Sequence, residues 1–158
     1  MKIIKQQLTK DILKNVRKID KDFYHSNKLT LEWYLERYKP YHHGYFLYNN
    51  DQLVGYVITV PVTKNLYDTL INGVLIDDID INPKMFIEES NYHYLVSIVI
   101  KKKYRHQGYA KAMLKNLMEE NLPHLCSMTV SQEGYLLACQ FLKETYRVNE
   151  KIAIFQNV

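Results

Sequence analysis

The chain has 158 residues, 47% hydrophobic and 24% charged, with 21 Lys and Arg against 17 Asp and Glu for a formal net charge of +4. That length suits a single domain, 1–158, able to bury a core without a disulfide or a metal, and the composition excludes a disordered chain. No apolar run approaches the ~20 residues of a membrane span, residues 1–7 lack the apolar stretch of a secretory signal, and Cys126 and Cys139 are too few for a disulfide scaffold, so a reduced, cytoplasmic setting is expected.

In chain order, residues 3–8 read as a short strand. Thr9 then caps a helix with Ile12, Leu13, Val16 and Ile19 at helical spacing. Thr30 caps a second helix carrying Leu31, Trp33, Tyr34, Leu35 and Tyr38, and Pro40 stops it. Residues 45–60 predict a hairpin turning at Asn49, Asn50 and Asp51. Thr63 to Asn72 reads as a helix with Gly73 just past its end. Residues 77–83 read as an exposed loop. Residues 92–100 form an almost continuous apolar run fit for a central strand. A basic turn follows, then a helix over 108–121, a strand over 123–130, a helix over 132–144 and a closing strand over 146–155. Strands and helices interleaved in this way predict an α/β or α+β architecture around one mixed sheet.

The charge is unevenly placed. Between Ser90 and Met118 there is no Asp or Glu, while Lys101, Lys102, Lys103, Arg105, Lys111 and Lys115 give +6 and leave −2 for the rest of the chain. One basic patch points to a localised anionic ligand more than to a nucleic-acid coat, and no nucleic-acid-binding motif is present.

That patch surrounds the informative segment, Arg105-His106-Gln107-Gly108-Tyr109-Ala110-Lys111, set between an apolar strand and a helix. A helix N-terminus presents unpaired N–H groups and a partial positive charge. Gly108 lets backbone approach a ligand closely, and Ala110 keeps the next turn small. These features suit a pyrophosphate. The Gly-x-x-x-x-Gly-Lys-[Ser/Thr] and Gly-x-Gly-x-x-Gly phosphate loops are absent. A single glycine suits one pyrophosphate on one loop.

The spacing of Arg105, Gly108 and Ala110 resembles the [Arg/Gln]-x-x-Gly-x-[Gly/Ala] acetyl-CoA signature of the GNAT (Gcn5-related N-acetyltransferase) superfamily, which also follows a strand and opens a helix. The resemblance implies the GNAT fold, a mostly antiparallel sheet flanked by helices whose fourth and fifth strands splay apart around acetyl-CoA. It implies pantetheine pairing with backbone at Val99 and Ile100, and pyrophosphate on Arg105, His106, Gln107, Gly108, Tyr109, Ala110 and Lys111. Backbone N–H near Ile100 would polarise the thioester carbonyl. It implies direct attack of a primary amine on that thioester, with no metal. Acceptors that fit are a small-molecule amine, a cationic one included, or a protein N-terminus. Members of the family are often homodimers.

An amine of pKa near 10.4 is neutral in only about 1 part in 2,500 at pH 7, a cost of about 4.6 kcal/mol that a general base relieves. Many family members carry an Asn and a Tyr on the last helix, the Tyr as acid for the leaving thiolate. Those places hold Tyr135 and Leu142 here, so Tyr135 and Tyr146 become the substitute acids and the alternative is a CoA-binding regulatory domain without turnover. His93, near the start of the central strand, is a candidate base or a structural histidine, and Ser97 on the same face reads as core. Asp77, Asp78 and Asp80 offer a landing site for a cationic amine or an ordinary hydrophilic turn. Tyr34, Tyr38, Tyr41 and Tyr45 either line an acceptor pocket or pack. Both cysteines read as inert and buried.

Overall fold

The computed structural model describes residues 1–24, 26–74 and 77–157. Its elements are β1 (Lys2–Gln7), α1 (Lys10–Asp20), α2 (Leu31–Arg37), β2 (His43–Asn49), β3 (Gln52–Pro61), α3 (Lys64–Ile71), β4 (Tyr92–Ile100), α4 (Tyr109–Met118), β5 (His124–Val130), α5 (Gln132–Phe141), β6 (Lys143–Arg147) and β7 (Ile152–Gln156). The strands are hydrogen-bonded in the order β1-β2-β3-β4-β5-β7-β6. β4 and β5 pair in parallel, whereas β1–β2, β2–β3, β5–β7 and β6–β7 are antiparallel, which is the mixed sheet the sequence implied. Among the described residues no helix is long and apolar enough to cross a membrane. The chain forms two compact units, Met1–Thr59 with Ser97–Leu117, and Val60–Val96 with Met118–Val158.

In the first unit, Thr9 Oγ1 accepts from the Ile12 N–H and Thr30 Oγ1 from the Trp33 N–H, the two caps expected from sequence. α1 buries Leu13, Val16 and Ile19 as its periodicity requires, and it buries Asp20 as well. Each fully buried aliphatic side chain contributes about 1.5–3 kcal/mol. α2 ends at Arg37, with Tyr38 already extended at φ −109° and ψ 129°, two residues before Pro40. The β2–β3 hairpin turns through Asn50, held at φ 53°, a conformation asparagine tolerates. Phe46, Leu47, Val54, Tyr56, Val57 and Ile58 of that hairpin are at most 1% exposed, and they form its core.

In the second unit, Thr63 caps α3 and Gly73 follows it at φ +79°, where a side chain would be strained. The segment expected to be a loop at 77–83 carries two short 3-10 turns, Asp78–Asp80 and Pro83–Met85. The parallel ladder of β4 and β5 runs only from Tyr92↔His124 to Leu95↔Ser127. Both strands continue past it, β4 to Ile100 and β5 to Val130. β5 takes β7 as its antiparallel partner from Cys126 onward.

The end of the chain departs from the sequence reading. α5 stops at Phe141, and residues 146–155 are not one strand but parts of a β6–β7 hairpin. The reason lies in Asn149, whose Oδ1 accepts from the backbone N–H groups of Lys151 and Ile152 at 2.9 Å each. That side chain closes a turn between two β-forming runs.

Candidate functional site

β4 ends where the Lys101 N–H donates to the Val54 carbonyl at 2.9 Å. Gly55 permits this close approach of β3, since a Cβ there would meet the Val99 carbonyl and Ile100 Cγ1 at 3.1 Å. Val99 and Ile100 are therefore buried at the strand's end. A 3-10 turn over Lys102–Tyr104 follows, and the Tyr104 hydroxyl accepts from Asn49 Nδ2 at 3.0 Å.

Arg105 then turns back. Its Nε donates to the Ile100 carbonyl at 2.9 Å, and its guanidinium lies 4.4 Å from the centre of the Phe23 ring. His106 at φ +61° and Gly108 at φ +85° curl the backbone into α4. No atom lies within 4 Å of where a Gly108 Cβ would stand, so glycine is required there by the left-handed φ and not by crowding. The first bond of α4 runs from the Ala112 N–H to the Gly108 carbonyl. The N–H groups of Tyr109, Ala110 and Lys111 consequently have no partner within the helix. His106, Gln107, Gly108 and Lys111 are exposed, and Tyr109 and Ala110 are half-buried. Val99, Ile100 and 105–111 are thus brought together as a strand end, a positively charged turn and an open helix N-terminus. Such a site suits an anion carrying phosphate groups.

The other three candidates belong to the second unit. His93 pairs with Leu125 in the parallel ladder, and its Nδ1 is buried without a hydrogen-bond partner. Burial lowers its pKa, partly offset by the Glu120 charge and the backbone at Asn91 and His124. Tyr135 projects from α5 with its ring 5.5 Å from that of Phe155 and 4.3 Å from the Arg147 guanidinium. Tyr146 stands on β6, 47% exposed, and a Cβ on Gly73 would meet its ring at 3.0 Å. Asp78 Oδ1 accepts from the buried Tyr94 hydroxyl at 2.5 Å, so that carboxylate has a structural partner. Cys126 is buried, and burial pushes its thiol up to about 12. Cys139 corrects the expectation of burial: it is exposed, because α5 turns Ala138 and not Cys139 inward. No cluster of three or more potential metal ligands occurs among the described residues.

The sequence reading missed a buried polar group. Asp20 closes the inward stripe of α1 with Oδ2 accepting from the Tyr34 hydroxyl at 2.6 Å and Oδ1 accepting from the Tyr56 hydroxyl. Tyr56 Oη lies 3.1 Å from Ser97 Oγ, so Ser97 is a half-buried member of a polar network and not apolar core. Burial is the main cause that raises Asp20 to about 6, against the pull of both tyrosine hydrogen bonds. An acidic residue at the i+7 position from Leu13 on the inward face was the signal for it.

The model of the Acetyltransferase (GNAT) family matches residues 13–141. No curated protein sequence matches the chain. Among solved structures it is similar to the loading GNATL domain of CurA from Lyngbya majuscula (13% identity, 99% of this chain and 98% of that one, TM-score 0.68). It is similar to the ribosomal-protein-S18-alanine N-acetyltransferase from Escherichia coli (13%, 99% and 93%, TM-score 0.63). A third is diaminobutyrate acetyltransferase EctA from Paenibacillus lautus, in complex with L-2,4-diaminobutyric acid and coenzyme A (13%, 98% and 93%, TM-score 0.59). At these identities the structures speak for the fold alone.

Proposed function

The chain belongs to the acetyltransferase (GNAT) family, and from that premise we propose that it transfers an acetyl group from acetyl-CoA to a primary amine. The observation that carries the reading is the turn from Arg105 to Lys111, with left-handed Gly108 opening α4 directly after β4. In this reading the N–H groups of 108–111 hold the pyrophosphate. The lysines of the 101–103 turn and Lys111 supply positive charge around it. Arg105 braces the turn through the Ile100 carbonyl. Backbone at Val99 and Ile100 pairs with pantetheine and presents the thioester.

The amine nitrogen attacks the thioester carbonyl, the C–S bond breaks, and the sulfur leaves with the electron pair. Tyr135 and Tyr146 are the phenols assigned to the departing thiolate, and His93, whose pKa burial lowers, is one acceptor for the amine proton. The acceptor class is a small amine or a protein N-terminus. Support for a small amine comes from the Paenibacillus lautus relative of this fold, which was solved with a diamino acid.

The test is free-thiol release from acetyl-CoA with a panel of primary amines: spermidine, L-2,4-diaminobutyrate and an alanine-ended peptide. Amine-dependent thiol release with acetylated product supports the reading. Tight CoA binding with no release for any amine favours the regulatory alternative, a domain that binds CoA without turnover.

A further inference from the structure

Asp20, Tyr34, Tyr56 and Ser97 form a hydrogen-bonded chain inside the first unit, joining α1, α2, β3 and β4. Its direction follows from counting hydrogens. A phenol has one hydrogen, and that of Tyr56 is committed to Asp20 Oδ1. At the 3.1 Å contact the Ser97 hydroxyl is therefore the donor and Tyr56 Oη the acceptor. The lone pairs of Ser97 Oγ remain to accept a hydrogen from elsewhere.

The two ends differ in access. Asp20 and Tyr56 are 6% and 1% exposed, whereas Ser97 is half-buried. Ser97 shares a face of β4 with Val99, two residues on. The other groups acting on the chain are Arg17, Tyr24 and Tyr38. Arg17 and Tyr38 act on Tyr34, and Tyr24 acts on Tyr56. Arg17 directs its Nε to the Leu29 carbonyl at 2.8 Å. A carboxylate buried against two phenols, with no ion pair among the described residues, is costly to keep ionised. Burial places its titration at about 6, where it is ionised at neutral pH and still able to take up a proton.

We propose that Ser97, Tyr56 and Asp20 form the path by which the acceptor amine loses its proton. Ser97 is the catalytic residue that touches the amine, and Tyr56 and Asp20 are positioning residues that draw the proton inward. The proposal rests on the acetyl-transfer reading. As the N–C bond forms, the neutral amine gives a proton to Ser97 Oγ, Ser97 gives its own to Tyr56 Oη, and Tyr56 gives its own to the Asp20 carboxylate. The C–S bond breaks with its electron pair on sulfur, and the thiolate takes a proton from its own acid or from solvent. Asp20 then returns its proton outward along the same path.

The experiment measures thiol release with the amine panel from about pH 5 to about pH 9. It compares wild-type protein with Tyr56→Phe, Asp20→Asn, Ser97→Ala, Ser97→Thr and His93→Gln, with calorimetry of CoA on each. The proposal expects a wild-type rate that rises through about pH 6. Tyr56→Phe and Asp20→Asn should lose that rise and lower kcat about 100-fold, with CoA affinity retained as the sign of an intact fold. Ser97→Thr, which keeps the hydroxyl, should recover what Ser97→Ala loses. A rise that survives in Tyr56→Phe and Asp20→Asn, or that vanishes only in His93→Gln, overturns the proposal and leaves the transfer reading standing. Absence of CoA binding, or binding without thiol release in wild-type protein, overturns the transfer reading and the proton path with it.

Discussion

The Nε of Arg105 donates to the carbonyl of Ile100 at 2.9 Å, tying the last residue of β4 to the turn that opens α4. The guanidinium also rests on Phe23, so the side chain fixes the turn from two directions. Lysine keeps the charge and loses the planar fork. Arg105→Lys should therefore weaken CoA binding about 10-fold and lower stability by about 1 kcal/mol. Calorimetry and chemical denaturation read the two effects separately.

Gly108 stands at φ +85° with open space around it. Gly108→Ala should cost about 1 kcal/mol through backbone strain alone. Gly108→Arg should remove CoA binding from a protein that still folds, because its side chain would cover the helix N-terminus. Denaturation midpoints compared with CoA titrations of both variants check this pair.

Asp20 gives stability a pH dependence of unusual sign. Its pKa is about 6 in the folded protein against 3.8 unfolded. Between those values the folded state holds a proton that the unfolded chain has lost, so stability falls as pH rises from about 4 to about 6 and then levels off. The full amplitude is about 3 kcal/mol. The stability of Asp20→Asn minus that of wild type should rise by about that much over the same window, read by urea denaturation at several pH values. His93 runs the other way: its depressed pKa contributes stability above the unfolded value of 6.5 that is lost as pH falls. His93→Gln should therefore flatten the acid side of the wild-type curve.

Tyr34→Phe and Tyr56→Phe each strip one donor from the buried carboxylate. Each should cost about 1–3 kcal/mol at pH 7 and less at pH 4.5, where Asp20 is protonated. The double variant should depart from additivity, since both donors serve one carboxylate.

The two thiols differ in exposure. A maleimide reagent on native protein should modify Cys139, which is exposed, and leave Cys126, whose thiol is buried and raised to about 12. Mass spectrometry before and after unfolding distinguishes one label from two.

Much of this was legible in the sequence because it was local. Thr9 and Thr30 announced their helices, and Gly73 announced the end of a third, since a cap is a contact within a few residues. The Arg105–Lys111 turn was legible for the same reason, as a glycine between an apolar run and a helix. The closing hairpin was not, because its turn depends on the side chain of Asn149 reaching Lys151 and Ile152, which periodicity does not register. The Asp20 network was hidden for a different reason. Its members lie 14, 36 and 41 residues apart in pairs, and no local pattern couples an acid at the end of a helix to a tyrosine in an apolar strand.

The turn opening α4 is proposed to bind coenzyme A. Calorimetric titration of the purified protein with acetyl-CoA, with CoA and ATP as comparisons, tests it most directly. Micromolar binding of acetyl-CoA and CoA is expected, with no comparable binding of ATP. Heat with none of the three in a protein shown to be folded, or equal binding of ATP, would contradict it.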